Sequence, residues 1–354
     1  MKIVTILGAR PQFIKAGNIS REIAKQGIIE EIIIHTGQHY DANMSDIFFD
    51  EMKIPKPDYF LGVGGKSHGA MTGQMIEKIE EVLIAEQPDW VLVYGDTNST
   101  LSGAIAASKL HVKVAHVESG LRSFNMRMPE EVNRILTDRI SSILFCPTQS
   151  AVNNLTNEGV SDWKTKVELV GDVMLDGANF YKHLAVKPKN LHVKNEFILA
   201  TIHRAENTDS LERLTSIVRA FNEVAKKIDV VLPLHPRTRI KLQELPLKLS
   251  SSIKVIDPVG YLNMVWLINY CQMVMTDSGG LQKEAFFFSK PCITLRDETE
   301  WIELVDLNFN ILVGADYNKI INVFNNHSFS KNFDIDLYGQ GNTSSLIVDK
   351  LLGG

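Results

Sequence analysis

Short apolar runs alternate with longer amphipathic stretches along the whole chain. In the first half, the apolar runs with their polar ends cover 4–7, 31–39, 89–97, 112–118 and 142–148. They lead into stretches with helical periodicity, such as 69–85 and 99–109. Near-continuous apolar strands that alternate with helices are typical of a parallel sheet covered by helices on both faces. Such sheets bind ligands at the carboxyl ends of their strands, where polar residues gather in this chain.

A second series of the same kind begins near Val167. Its apolar runs cover 197–203, 230–237, 253–257, 273–277, 291–296 and 310–314. We therefore predict an α/β fold with two Rossmann-like domains of similar size. The predicted N-terminal domain covers 1–171, the C-terminal domain covers 172–337, and 338–354 forms a turn and a terminal helix.

Composition and charge are ordinary for a protein with a sizeable core. The 354 residues are 44% hydrophobic and 22% charged, and the formal net charge is −5 at pH 7. Nucleic-acid-binding proteins carry a basic excess or a basic stripe, so we expect no nucleic-acid partner. The chain has no apolar run of about 18 residues, and its apolar N-terminus is too short for a signal peptide. We therefore expect a soluble, cytoplasmic protein without a membrane partner.

The cysteines and histidines give no sign of a metal site. The three cysteines, which lie in or beside apolar runs without CxxC spacing, are Cys146, Cys271 and Cys292. This placement predicts buried free thiols and argues against a structural zinc or a disulfide framework. His35, His39 and His116 lack a recognisable metal-ligand spacing as well.

An apolar run in the stretch 274–285 is followed by Ser-Gly-Gly and then by helix-forming residues. This order predicts a strand, a tight turn and a helix that starts with Ser278 as its N-cap. Gly279 and Gly280 let the backbone approach a ligand, and the free N–H groups of a helix N-terminus attract phosphate. Glu284, one turn further, is placed to accept hydrogen bonds from a ribose. An ordinary N-cap with two packing glycines explains the same residues equally well.

Three acidic residues of the N-terminal half lie at or near the carboxyl ends of predicted strands. Asp96 and Glu118 lie at strand ends. Pro129 predicts a helix start, which puts Glu130 in the first helical turn. If these strands form one sheet, the three carboxylates open onto the same edge. They would raise one another's proton affinity, which suits acid–base chemistry.

Structural roles are the alternative for these acids. Acids in a first turn stabilise the helix dipole, and Glu130 has a possible partner at i,i+4 in Arg134. Asp96 has the alternative role of a strand-end cap.

Two basic residues, Arg10 and Lys15, lie at the same predicted edge, where they are placed to meet a diphosphate.

His203 ends a predicted strand of the second domain. A single histidine is more often structural than catalytic. This one, however, stands on the side of the sheet where Ser278 and the glycines should lie. We therefore favour a phosphate contact for His203.

Nine segments of the chain occur in the order and at the spacing of one known family. They are GARPQFIK, TGQHYD, YGDTNST, HVESGLR, PEEVNR, IHRAEN, TDSGGLQKEA, LRDETEW and YGQGN. On these segments the chain resembles the non-hydrolysing UDP-N-acetylglucosamine 2-epimerases along nearly its whole length. The resemblance implies two Rossmann-like domains facing across a cleft, the glycosyltransferase-B type, with a UDP-sugar substrate between them. It also implies a homodimer and a reaction without a metal or a redox cofactor.

The resemblance also implies a reaction and the residues that carry it. In the family, the C2 proton is removed while UDP leaves C1, and UDP adds back to the resulting glycal as C2 is protonated on the opposite face. By motif, the catalytic residues are Asp96, Glu118, Glu130 and His203. The nucleotide contacts are Arg10, Ser278, Gly279, Gly280 and Glu284, with Lys15 and Arg134 nearby. Which carboxylate acts as base and which as acid stays open.

The chain departs from the family pattern at several positions. Many members have Glu where this chain has Gln12. Segments 123–127 and 300–301 are more similar to a branch that acts on UDP-2,3-diacetamido-2,3-dideoxy-glucuronate, which we favour slightly over UDP-N-acetylglucosamine. Gln38 matches the first glutamine of a pair in members that a second substrate molecule activates. Asp41 stands in place of the second glutamine, which argues against such activation.

Three other functions fit the same architecture. A hydrolysing 2-epimerase would release UDP, and a glycosyltransferase would need an acceptor and keep the configuration at C2. A nucleotide-sugar sensor would bind its ligand without reaction. Free UDP and deuterium uptake at C2 are the measurements that separate these functions.

Overall fold

The structure is a computed structural model that describes residues 1–38, 46–193 and 196–353, without the side chains of 46–48. His39 and Asp41 lie outside the described residues. The chain forms two compact units. The first unit combines Met1–Gly177 with Asp336–Gly354, and the second unit is Ala178–Ile335.

The first unit alternates strands with helices along the chain. Its strands are β1 (Lys2–Leu7), β2 (Glu30–His35), β3 (Tyr59–Phe60), β4 (Trp90–Tyr94), β5 (Lys113–Val117), β6 (Ile143–Cys146) and β7 (Lys166–Leu169). Its helices are α1 (Arg10–Gln26), α2 (Asp46–Met52), α3 (His68–Glu86), α4 (Asn98–Lys109), α5 (Pro129–Ile140) and α6 (Gln149–Asn157), with a 3-10 turn at Val160–Asp162. Helix α7 (Val173–Lys182) leads into the second unit.

The strands of the first unit form one parallel sheet in the order β3-β2-β1-β4-β5-β6-β7. All five residues of β4 and five of the six residues of β1 are buried, as expected for strands covered on both faces. The chain moves outward in one direction from β1 to β3 and in the other from β4 to β7. The carboxyl ends of β1 and β4 therefore flank the point where such sheets bind ligands.

The second unit repeats this plan. Its strands are β8 (Phe197–Thr201), β9 (Asp229–Pro233), β10 (Ile253–Ile256), β11 (Met273–Thr276), β12 (Cys292–Thr294) and β13 (Asn310–Leu312). Its helices are α8 (Ala205–Thr208), α9 (Leu211–Val224), α10 (Pro236–Glu244), α11 (Tyr261–Tyr270), α12 (Gly279–Phe287), α13 (Ile302–Asp306) and α14 (Tyr317–Asn326). The parallel sheet has the order β10-β9-β8-β11-β12-β13. Its strand order reverses between β8 and β11.

The predicted α/β fold with two parallel sheets is confirmed. Two strands lie outside the apolar pattern on which that prediction rests. Strand β3 has only two residues, Tyr59 and Phe60, which is too short for a detectable run. Val167, expected to open the second series, belongs to β7 and pairs with Leu144 of β6 at the far edge of the first sheet.

The chain returns to the first unit for its last helix, α15 (Thr343–Leu352), which packs against α1. The N-terminus of α15 is capped by a distant side chain. The carboxylate of Asp176, on α7, accepts hydrogen bonds from the backbone N–H groups of Thr343 at 3.2 Å and Ser344 at 2.7 Å. This contact joins the two stretches of chain that make up the first unit.

Two expectations from composition can be compared with the structure. Cys146, Cys271 and Cys292 are buried as free thiols, as predicted. Burial raises the pKa of each thiol to about 12. In the described ranges, no helix is both long enough and apolar enough to cross a membrane.

One buried amide ties together the loops that follow β1 and β4. The side chain is that of Gln12, in the first turn of α1, a residue only 3% exposed. Its Oε1 accepts hydrogen bonds from the backbone N–H groups of Gly8 at 2.8 Å and Ala9 at 3.0 Å. Its Nε2 faces three oxygens, the carbonyl of Tyr94 at 2.8 Å and the hydroxyls of Thr97 and Thr100 at 3.0 Å each. A carboxylate has no N–H to offer the Tyr94 carbonyl, which explains a glutamine at this position.

Replacing Gln12 by methionine should lower the free energy of unfolding by about 3 kcal/mol, because buried N–H and C=O groups lose their partners. Methionine has a similar length, so the loss of hydrogen bonds dominates the effect. Urea unfolding of both proteins measures the difference. The matched control is Gln26→Met at the exposed end of α1, which should change stability by less than about 0.5 kcal/mol. Equal stability of the Gln12 variant and the wild type would contradict the role of this amide.

Candidate active site

Polar residues gather where the strand order of the first sheet reverses. The loop after β1 leads into α1, whose first residue is Arg10. The loop after β4 contains Gly95 and Asp96, and Glu118 follows β5. Since the carboxyl ends of neighbouring parallel strands share one edge, these loops form a single polar edge.

Asp96 is held at this edge by an arginine. NH2 of Arg134 donates to the carboxylate of Asp96, and NH1 of Arg134 donates to Glu131 at 2.7 Å. Burial raises the pKa of Asp96, and the negative charge of Glu118 adds to that shift. The positive charges of Arg134 and Lys15 act in the opposite direction. A carboxyl with a raised pKa exchanges its proton closer to neutral pH, which suits acid–base chemistry.

Glu118 is fixed by an ion pair and by its backbone. Its carboxylate pairs with Lys15, and both side chains are mostly buried. The φ angle of Glu118 is 69°, a left-handed conformation that costs residues other than glycine about 1 kcal/mol. Gly95 lies directly against the pair, since a Cβ at this position would be 3.4 Å from Oε2 of Glu118 and 3.8 Å from Nζ of Lys15. Backbone strain of this kind concentrates at functional sites.

Two adjacent glutamates of α5 have different surroundings. The helix begins at Pro129, as predicted, with Glu130 and Glu131 in its first turn. Glu131 is only 1% exposed, and its carboxylate accepts the backbone N–H groups of Ser123 and Phe124 at 2.9–3.1 Å. Glu130 is exposed, and its carboxylate has no hydrogen bond or ion pair within the described part of the chain. Glu131 therefore holds the preceding loop, whereas Glu130 is exposed at the start of the helix.

Arg134 does not serve as the i,i+4 partner of Glu130. Its described partners are Asp96 and Glu131. Burial would raise the pKa of Glu131, but the backbone N–H groups and the charge of Arg134 outweigh burial and lower this pKa. The site thus contains one carboxyl that stays ionised and another, Asp96, whose pKa moves towards neutrality.

A buried network of polar and charged side chains lies behind this edge. His116 on β5 and Asp138 on α5 are fully buried, and Nδ1 of His116 is 2.7 Å from Oδ1 of Asp138. Asp138 also accepts hydrogen bonds from NH1 of Arg122 at 2.8 Å and from the backbone N–H of Gly120 at 3.1 Å. Nε2 of His116 lies 2.7 Å from the carbonyl oxygen of Gly95. The network therefore anchors the loop after β4, which carries Asp96.

The side chain of Gln38 forms hydrogen bonds within the first unit. Its side-chain oxygen accepts hydrogen bonds from the backbone N–H of Ser99 at 2.9 Å and from the Ser99 hydroxyl at 2.7 Å. These bonds satisfy an N–H group of the first turn of α4. Asp41, the other position considered for activation, is not among the described residues.

In the second unit, the loops after β8 and β11 are joined by Asp277. This fully buried carboxylate accepts the backbone N–H groups of His203 and Arg204 at 3.0–3.1 Å and the side-chain amide of Asn207 at 3.2 Å. Nδ1 of His203 lies 3.2 Å from Oδ1 of Asp277. Burial would raise the pKa of Asp277, but the bonds and charge of His203 outweigh burial and lower it. The His203 side chain is 52% exposed, which leaves its Nε2 available to a ligand.

Helix α12 begins as the sequence predicts. Oγ of Ser278 accepts the backbone N–H of Leu281 at 3.4 Å, so Ser278 is the N-cap. Gly279 and Gly280 are the first two helical residues. Their N–H groups precede the first intrahelical hydrogen bond and lie at the positive end of the helix dipole. This arrangement suits an anion such as phosphate.

Glu284 lies one turn inside α12. Its Oε1 accepts a hydrogen bond from the hydroxyl of Tyr261 at 3.2 Å. Burial and the negative charge of Glu284 raise the pKa of Tyr261 well above its ordinary value, so Tyr261 acts as a neutral donor. A carboxylate has further lone pairs, with which Glu284 can accept hydroxyl groups of a ligand.

The structure brings most of the predicted residues together within each unit. In the first unit, Asp96, Glu118, Lys15 and Arg134 form one cluster of charges, and Arg10 and Glu130 lie in the first turns of α1 and α5. In the second unit, His203 and Ser278 lie on the two loops that Asp277 joins, with Gly279, Gly280 and Glu284 on α12.

The sequence does not predict the supporting roles of four residues, which are Gln12, Glu131, Asp138 and Asp277. Only Asp277 carries a local signal, its place between a strand and Ser278. In the described ranges, no group of three or more His, Cys, Asp or Glu residues is arranged to hold a metal ion. Carboxyls of different pKa in the first unit suit acid–base chemistry, and the start of α12 in the second unit suits an anion.

Comparisons with known proteins point to one family. A family model described as UDP-N-acetylglucosamine 2-epimerase matches residues 21–352. Over 354 residues, the chain is 58% identical to a UDP-2,3-diacetamido-2,3-dideoxy-D-glucuronate 2-epimerase from Pseudomonas aeruginosa, and the alignment covers 99% of each chain.

Solved structures give the same result for the fold. The chain is similar to the UDP-GlcNAc 2-epimerase of Methanocaldococcus jannaschii in complex with UDP-GlcNAc and UDP, with a TM-score of 0.86, 43% identity and full coverage of both chains. It is also similar to the Neisseria meningitidis UDP-GlcNAc 2-epimerase bound to UDP-GlcNAc, with a TM-score of 0.86, 32% identity and full coverage of both chains. These similarities confirm the predicted glycosyltransferase-B type of fold.

Replacing Arg134 by glutamine should raise the pKa of Asp96 further, because the arginine charge favours the ionised carboxylate. An NMR titration of the Asp96 carboxyl carbon measures this shift. The control is Arg139→Gln, a change in the same helix of an arginine stacked on Trp163, which should leave the Asp96 titration as it is. A pKa that stays constant or falls in the Arg134 variant contradicts the described electrostatics.

Replacing Asp138 by asparagine should lower the free energy of unfolding by about 3 kcal/mol at neutral pH, because it leaves buried partners uncompensated. Burial would raise the pKa of Asp138, but His116 and Arg122 outweigh burial and lower it. The stabilisation is therefore present above the unfolded pKa of about 3.9 and lost as the pH falls. The difference between wild type and variant in urea unfolding should shrink below about pH 4.

The exposed Asp162 provides the matched control for Asp138. Asp162→Asn should change the free energy of unfolding by less than about 0.5 kcal/mol. If the loss of free energy of unfolding in the Asp138 variant did not depend on pH, the charge of Asp138 would not be what stabilises the network.

Proposed function

The chain belongs to the UDP-N-acetylglucosamine 2-epimerase family, and on that premise we propose that it is a non-hydrolysing 2-epimerase of a UDP-N-acetylamino sugar. The reaction inverts the configuration at C2 and leaves the nucleotide attached at equilibrium. The observation that carries the proposal is the edge of the first unit, where Asp96 and Glu118 are held within electrostatic reach of one another beside Lys15.

The acids of the first unit suit both halves of this reaction. One carboxylate takes the C2 proton while the C1–O bond breaks, and UDP leaves with the bonding electrons, which produces a glycal. In the return step a second carboxyl protonates C2 from the opposite face, and a phosphate oxygen of UDP bonds to C1. The raised pKa of Asp96 supports its part in such proton transfers near neutral pH. Glu118 and the exposed Glu130 are the other two candidates.

The second unit has the groups that a leaving diphosphate needs. Negative charge develops on UDP as the C1–O bond breaks, and preplaced donors stabilise that charge. We assign this role to the N-terminus of α12 at Ser278, Gly279 and Gly280 and to Nε2 of His203. Glu284 accepts the ribose hydroxyls. Arg10, Lys15 and Arg134 supply further positive charge on the first unit.

We propose UDP-2,3-diacetamido-2,3-dideoxy-glucuronate as the preferred substrate. The support is the 58% identity over nearly the full length with the Pseudomonas aeruginosa protein that is named for this sugar. Plain UDP-N-acetylglucosamine is the second candidate, since other relatives are named for it. A cytoplasmic location remains a prediction from the sequence, and a homodimer remains a prediction of the family resemblance.

A proton NMR time course with both UDP-sugars in D2O tests the reaction and the substrate together. We expect the C2 proton signal to disappear through deuterium uptake while free UDP stays at trace level. Stoichiometric release of free UDP would instead identify the hydrolysing 2-epimerase. No uptake with either sugar would refute the proposed function.

Replacing Glu118 by glutamine should slow deuterium uptake by at least about 100-fold, because proton transfer by a positioned carboxylate contributes that much. Binding of UDP to this variant checks that the second unit is intact. The matched control is Glu81→Gln on the exposed face of α3, which should exchange at the wild-type rate. Full exchange in the Glu118 variant would remove this residue from the mechanism.

A further inference from the structure

A carboxylate outside the predicted nucleotide contacts lies beside the start of α12. Glu300 belongs to the loop after β12, and its Oε2 accepts a hydrogen bond from NH1 of Arg296 at 2.8 Å. Its Oε1 approaches the backbone of Gly279 so closely that a Cβ at this glycine would collide with it. With glycine at position 279, this oxygen has room next to the N-terminus of the helix, and a larger residue would displace it.

Other bonds tie the Glu300 loop to α12. The indole N–H of Trp301 donates to the carbonyl oxygen of Gly279 at 2.9 Å. The hydroxyl of Thr299 donates to the side-chain oxygen of Gln282 at 2.7 Å. These bonds flank Glu300 on both sides in sequence, so its carboxylate has a defined position relative to the helix N-terminus.

The carboxylate of Glu300 is ionised and within reach of solvent. Burial would raise its pKa, but the positive charges of Arg296 and Arg204 and the hydrogen bond from Arg296 outweigh burial and lower it. The side chain is 27% exposed, whereas Arg296 behind it is buried. A ligand at the start of α12 would therefore meet the carboxylate before the arginine.

An ionised carboxylate accepts hydrogen bonds but cannot donate them. The Glu300 carboxylate repels a phosphate bound at the neighbouring N–H groups. A favourable contact therefore needs a hydrogen-bond donor elsewhere on the molecule that carries this phosphate. We infer that Glu300 accepts a hydrogen bond from a hydroxyl or acetamido N–H group on the sugar of the bound UDP-sugar. This inference rests on the proposed function and adds a sugar contact to the second unit.

A sugar contact by Glu300 should affect the affinity for UDP-sugar and the affinity for UDP in different ways. UDP without its sugar lacks the sugar's hydroxyl and N–H donors, so its phosphates meet only the negative charge of this carboxylate. UDP-sugar gains a hydrogen bond to a charged acceptor, which is stronger than one to a neutral acceptor. Glu300 should thus favour the substrate over free UDP.

The test is Glu300→Gln, with dissociation constants for UDP and for the exchanging UDP-sugar measured by calorimetry. We expect UDP-sugar to bind about tenfold more weakly, the loss expected from a charge-assisted hydrogen bond. UDP alone should bind as well as to wild type or slightly more tightly. The matched control is Glu298→Gln in the same loop, an exposed residue, which should leave both constants unchanged.

Glu300→Asp is the second variant, because it keeps the charge beside Arg296 while it withdraws the carboxylate from the ligand. It too should lose affinity for UDP-sugar and not for UDP. Equal losses for both ligands, or no loss for UDP-sugar, would overturn the inference while wild-type deuterium exchange upholds the proposed function. Wild-type protein without any exchange would overturn the proposed function and this inference with it.

Discussion

The structure depends on one constraint, the need to satisfy backbone groups where a parallel sheet reverses its strand order. At that point two loops emerge side by side, and their N–H and C=O groups have no strand to pair with. Each unit meets the constraint with one buried polar side chain. Gln12 bonds the loops after β1 and β4, and Asp277 bonds those after β8 and β11.

The chemical difference between these two side chains matters for the site. Gln12 is neutral, and the charges at the edge of the first unit are balanced among side chains instead, through Lys15 with Glu118 and Arg134 with Asp96. Asp277 is charged and holds the loop of a histidine. The first unit thus contains carboxyls of different proton affinity, whereas the second has free N–H groups at the start of α12. The proposed reaction needs both environments, one for proton transfer and one for the leaving diphosphate.

Local sequence patterns were sufficient for the alternation of strands and helices, the strand-end placement of Asp96 and Glu118, and the Ser278 cap, because each depends on neighbours within a few residues. Pro129 likewise marks the start of α5. The partners of Arg134 could not be predicted in this way. The i,i+4 spacing suggests Glu130, but the folded chain offers Asp96 from another loop. The roles of Gln12 and Asp277 could not be predicted for the same reason, since both side chains bond residues more than 70 positions away.

The buried thiols have a practical consequence. A thiolate is the reactive form of cysteine, and burial disfavours it at all three positions. Reagents that label cysteine should therefore react only when the surrounding core opens. Since Cys146 lies in the first unit and Cys271 and Cys292 lie in the second, the protein contains its own reporters for the separate unfolding of its two halves.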